Sequence, residues 1–114
     1  MGGLSRKITA VNDLRYQGND PIILDAGDLL FTVPSVHDSS RASEIFRGSA
    51  MLKGYDKIGC DVINVGYHEL AAGYDVLMNL VRETSIPFVS ANLLDPDTEE
   101  LLFKPYSVTK SRQI

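Results

Sequence analysis

The sequence predicts an α/β domain in which mostly parallel strands alternate with helices. Two observations carry this. Apolar positions change period along the chain in the order helix, strand, helix, strand, helix, strand, strand, which reads as βαβ units around a parallel sheet. The first strand-like run is also apolar on both faces, as expected for a strand covered on both sides.

The elements follow in order. Leu4, Ile8, Val11 and Leu14 recur at helical spacing between polar residues, giving an amphipathic helix that begins almost at residue 1. A Gly-Asn-Asp-Pro turn starting at Gly18 stops it. The first strand, Ile22 to Leu24, runs into the acidic loop of PIILDAGD. FTVPSVHDSSRAS, Phe31 to Ser43, has little periodicity and reads as loop. A second helix is expected from about Ser43 to Ile58, with Ile45, Phe46, Ala50, Met51, Leu52 and Tyr55 as its apolar face. Gly48 and Gly54 weaken that helix. DVINV, Asp61 to Val65, is the second strand. Val76, Leu77, Leu80 and Val81 predict a third helix over Tyr74 to Glu83. IPFVSAN supplies the third strand, DPDTEE a polar turn, and Leu102 to Val108 a last strand-like segment.

Composition narrows the function classes. The chain has 114 residues, enough for one domain at most, and a hydrophobic share of 44% suits a soluble core-forming chain. With 15 acidic against 11 basic residues and no basic block, nucleic acid is not an expected partner. The single cysteine, Cys60, excludes an internal disulfide and a cysteine-based zinc cluster, and reads as a small core residue. No apolar run approaches the roughly 20 residues of a membrane helix. MGGLSRK has no apolar core of a secretory signal peptide.

Polar chemistry in open parallel sheets gathers at the carboxyl ends of strands. Three loops are expected there: Asp25-Ala26-Gly27-Asp28, Gly66-Tyr67-His68-Glu69 and Ser90-Ala91-Asn92. Asp28 follows a glycine that permits a tight turn, so its carboxylate either ligates a divalent metal or caps a turn. His68 is either an acid, ligand or phosphate contact, or a backbone-bonded histidine at a helix start. Asp25 reads as a local hydrogen-bonding residue, and His37 and Asp38 as solvated.

The segments LDAGDLL, SEIFRGSAMLKGYDKIGCDVINVGYHELAAGYDVLMNLV and IPFVSANLLDPDTEELLFKPY, in that order, resemble the amino-terminal metallophosphoesterase domain of bacterial 5'-nucleotidases and UDP-sugar hydrolases. The resemblance implies a calcineurin-like sandwich of two sheets flanked by helices, of which residues 1–114 would be one partial domain. It implies hydrolysis of nucleotides or other phosphate esters by metal-activated water, with Mn, Zn or Fe as cofactors, in the periplasm. On it, Asp28 matches the metal-bridging aspartate and His68 the catalytic histidine over the phosphate. Glu69, Gly27, Gly66 and Asn92 would support these loops.

Tyr67 stands where that family has a metal-binding asparagine, and a neutral phenol is a poor ligand for Zn or Mn. The family's Asp-x-His and Gly-His-x-His motifs do not occur in the sequence. The expectation is therefore a fragment of a phosphoesterase, inactive and metal-free as an isolated chain. The alternative is a non-catalytic binding module that lost a ligand at Tyr67. Self-association through an exposed sheet edge is also expected.

Overall fold

A computed structural model of the chain describes residues 3–110. The order is α1 (Gly3–Tyr16), β1 (Leu24–Asp25), α2 (Arg41–Ile58), β2 (Val62–Asn64), α3 (Tyr74–Arg82) and β3 (Phe88–Val89), with short 3-10 turns at Asp38–Ser40 and Tyr67–Leu70. The expected alternation of helices with parallel strands is present. The sheet runs β1-β2-β3, parallel throughout, with Leu24 opposite Val62 and Ile63 opposite Phe88. The helix start expected at residues 1–2 and the chain's last four residues lie outside the described part.

Side chains alternate across a strand, and paired residues share a face. Asp25, Ile63, Val65 and Phe88 therefore point one way, into the core with Leu30, Phe31, Leu52, Tyr55, Leu77 and Leu80. Leu24, Val62, Asn64 and Val89 point the other way. Here the sequence expectation is corrected: β1 is covered on one face only, because Leu24 is 66% and Ile22 45% exposed. An apolar run of three residues cannot tell a doubly covered strand from one whose second face is open.

Three further corrections concern element details. α2 begins at Arg41, and its buried residues are Gly48, Leu52, Gly54, Tyr55 and Ile58. Phe46 is 76% exposed and Ala50 is exposed, so neither belongs to its apolar face. The two glycines sit where α2 closely approaches Leu30 and Leu4. A β-carbon on Gly48 would lie 3.3 Å from the Leu30 carbonyl oxygen, and one on Gly54 would collide with the Leu4 side chain. They cost helix propensity and admit close packing.

The last strand-like segment forms no strand. Lys104 makes an isolated parallel bridge to Val89, and Leu101 an antiparallel one to Leu94. Pro105 has no N–H to carry the ladder on. The polar turn is as expected: Asp95 Oδ1 accepts the N–H groups of Asp97 at 2.8 Å and Thr98 at 3.2 Å. Among the described residues no helix is long and apolar enough to cross a membrane.

Candidate functional site

The loops after β1 and β2 meet at the carboxyl edge of the sheet, and Glu69 joins them. Its side chain is fully buried. One carboxylate oxygen accepts the N–H of Leu29 at 2.6 Å and of Leu30 at 3.1 Å. The other accepts the N–H of Asp28 at 2.8 Å and of Gly66 at 2.6 Å. Four backbone donors from two loops thus converge on one acidic side chain. Burying a carboxylate is costly unless it is hydrogen-bonded, and this one is fully engaged.

The approach is close enough to require two glycines. A β-carbon on Gly27 would lie 2.7 Å from the Gly66 nitrogen and 2.8 Å from the Asn64 carbonyl oxygen. One on Gly66 would lie 2.6 Å from both the nitrogen and Oδ1 of Asp28. Gly27 also adopts φ +107°, a backbone region that side chains disfavour.

Asp28 itself sits at φ +56°, in the left-handed region. Its Oδ1 accepts the backbone N–H of His68 at 2.7 Å, which adds a further bond between the loops. The side chain is exposed, and Oδ2 has no hydrogen-bond partner among the described residues. The His68 ring stands beside that of Tyr67, with centroids 6.1 Å apart and planes tilted by 55°. Tyr67 is 75% exposed.

The third loop lies next to the second. Ser90 is buried, donates its hydroxyl to Asn92 Oδ1 at 3.2 Å and accepts the N–H of Leu93 at 3.2 Å. Gly66, Tyr67, Ser90 and Asn92 border a hollow of about 320 Å³. Asp28 and His68 do not line it.

Sequence reasoning missed two supports of the Asp28 turn. Asn64 donates its side-chain N–H to the carbonyl of Ala26 at 3.0 Å. Its signal was available, as the one polar residue inside the VINV run. Asp25 makes the local bond expected of it, its Oδ1 accepting the N–H of Gly27 at 2.9 Å, but its Oδ2 also accepts the Tyr55 hydroxyl at 2.8 Å, and this is the second support that was missed. Tyr55 in turn accepts a bond from the Lys7 ammonium at 2.9 Å. Nothing in the sequence marks Lys7 and Tyr55 as partners, because 48 positions separate them.

Three groups have displaced acidities. The bond to Tyr55 holds Lys7 above its ordinary value, burial pushes the Tyr55 phenol up, and burial raises the Cys60 thiol. Cys60 is buried, as expected of a small core residue.

Among the described residues, no three His, Cys, Asp or Glu side chains are placed to hold one ion. At the rim, Asp28 has one carboxylate oxygen committed to the backbone, Glu69 is consumed by the clamp, and Tyr67 offers only a phenol.

No family model matches the chain. It is similar to a 5'-nucleotidase of Vibrio parahaemolyticus, 30% identical over 116 residues that cover 98% of this chain and 20% of the relative. Protein UshA of Yersinia enterocolitica is 32% identical over 110 residues, covering 93% of this chain and 19% of that protein. Along nearly its whole length the chain is thus similar to one segment of bacterial 5'-nucleotidases. A 2',3'-cyclic-nucleotide 2'-phosphodiesterase/3'-nucleotidase of Salmonella typhimurium is similar as well, 29% identical over 114 residues and matched over 18% of its length. The chain thus spans about one fifth of the length of these relatives.

Proposed function

We propose that this chain is a partial metallophosphoesterase domain, supplying the Asp28 and His68 side of a nucleotidase-like site. The observation that carries this is the Glu69 clamp on the Asp28 and Gly66 amides together with the His68 N–H donating to Asp28 Oδ1, which sets the Asp28 carboxylate against the backbone of His68 on one rim. Similarity to 5'-nucleotidases along nearly the whole chain supports the substrate class: a nucleotide or related phosphate ester. In this reading Asp28 is a metal-ligand position and His68 a catalytic position over the phosphate. Gly27, Gly66, Glu69 and Asn92 hold their loops. The intact protein takes Mn, Zn or Fe and works in the periplasm.

Because no three His, Cys, Asp or Glu side chains among the described residues are placed to hold one ion, no hydrolytic step is assigned to the chain alone. The test assays this chain and a longer native form, both with Mn²⁺, on nucleoside monophosphates. Hydrolysis by the longer form and none by this chain is the expected result. A longer form that cleaves no phosphate ester would sink the catalytic reading.

Tyr67 favours a second reading, a non-catalytic relative kept as a binding module. Its phenol occupies the rim between Gly66 and His68 with three quarters of its surface in solvent. Tyr67→Asn in the longer form separates the two. Activity in the variant alone makes the native protein a pseudoenzyme, whereas activity in the wild type ends this reading.

A further inference from the structure

The turn that carries Asp28 is held by residues of three different elements. Lys7 lies on α1, Tyr55 on α2 and Asp25 at the end of β1. The Lys7 ammonium stands 2.9 Å from the Tyr55 hydroxyl and 5.4 Å from the ring centroid. The hydroxyl lies 2.8 Å from Asp25 Oδ2, and Asp25 Oδ1 lies 2.9 Å from the Gly27 nitrogen.

Donor chemistry fixes the direction of this chain of bonds. An ammonium has donors and no acceptor, so the Tyr55 oxygen accepts from Lys7. Its single hydrogen is then left for Asp25, whose carboxylate also accepts from Gly27. Both oxygens of Asp25 are thereby spoken for, and the carboxylate cannot rotate without breaking a bond. The consequence falls on the next residue. Asp28 is a non-glycine residue at φ +56°, a conformation that depends on its surroundings to hold it.

We propose that Lys7, Tyr55 and Asp25 form a positioning relay that sets the orientation of Asp28 through the Gly27 amide. This rests on the reading of Asp28 as a metal-ligand position: the relay acts on that position from behind, touching neither substrate nor metal. It also gives the buried Tyr55 hydroxyl a role beyond packing.

The test compares amide spectra and hydrogen exchange of the full 114-residue chain with those of Tyr55→Phe, which keeps the ring and removes the hydroxyl. The relay predicts about tenfold faster exchange at the Gly27 amide, roughly what weakening one charge-assisted bond delivers. It also predicts displaced resonances for Asp28 and His68, with Leu77 and Leu80 on α3 unmoved. If Gly27, Asp28 and His68 keep their wild-type signatures in a folded variant, the relay is wrong. Should Tyr55→Phe fail to fold, Lys7→Met decides the matter, because Lys7 is exposed. A smaller displacement of the same three resonances supports the relay, and none overturns it. This readout needs neither metal nor hydrolysis. Loss of Mn²⁺ binding on Asp28→Asn in the longer form reports separately on the reading of Asp28.

Discussion

Glu69 Oε2 lies 2.8 Å from the backbone nitrogen of Asp28, a residue 41 positions earlier in the chain. The same oxygen holds Gly66 at 2.6 Å. Glu69→Ala therefore leaves four backbone donors without their acceptor in a buried place. A stability loss of about 3 to 5 kcal/mol is expected, at the severe end of single substitutions. Urea unfolding followed by circular dichroism measures it, and a loss below about 1 kcal/mol would contradict the clamp.

The two facing glycines give a steric prediction. Gly27→Ala places a methyl group 2.7 Å from the Gly66 backbone and also meets an unfavourable φ. Gly66→Ala drives a methyl group to 2.6 Å from Asp28 without that conformational penalty. Both should lower the melting temperature by several degrees, Gly27→Ala by more. Scanning calorimetry would show the order, and equal, negligible shifts would contradict the close approach.

Alkaline pH should weaken the fold. Lys7, Tyr55 and Cys60 all hold their protons more tightly when folded. In the window where the unfolded chain has lost these protons and the native one keeps them, stability falls as pH rises. The contribution is complete below about pH 8, under the ordinary cysteine value, and is lost as the pH climbs through the raised values. Tyr55→Phe should flatten this decline, and denaturant midpoints measured from pH 8 to 11 would show whether it does.

Cys60 should be a slow thiol. It is buried in the core, its Sγ lies 3.6 Å from the Ile23 carbonyl oxygen, and burial disfavours its thiolate. Reaction with an aromatic disulfide at pH 8 should run at least about tenfold slower in the native chain than in urea. Equal rates would mean that the strand edge around Cys60 opens freely.

The alternation of helices with parallel strands was legible because it rests on local periodicity, and Val76, Leu77, Leu80 and Val81 show it plainly. The rim was legible in outline, since strand ends place LDAGD, GYHEL and SAN along one edge. What the sequence withheld is whatever depends on distant neighbours. The exposure of Phe46 and the burial of Gly48 follow from what α2 packs against, not from α2. The open face at Leu24 follows from having helices on one side alone. The atoms that Glu69 holds, 39 to 41 residues away for the Asp28 loop, have no local signature at all.

One carboxylate serving two loops also has a kinetic meaning. If each loop had its own anchor, each would open on its own schedule. Here the amides of Asp28, Leu29, Leu30 and Gly66 share a single latch. Releasing it loosens both loops together, even though the Asp28–His68 bond and the Asp25 and Asn64 contacts remain, so opening of one loop is coupled to opening of the other. Order at this edge is accordingly shared: loosening the carboxylate's hold on one loop loosens the presentation of both Asp28 and His68.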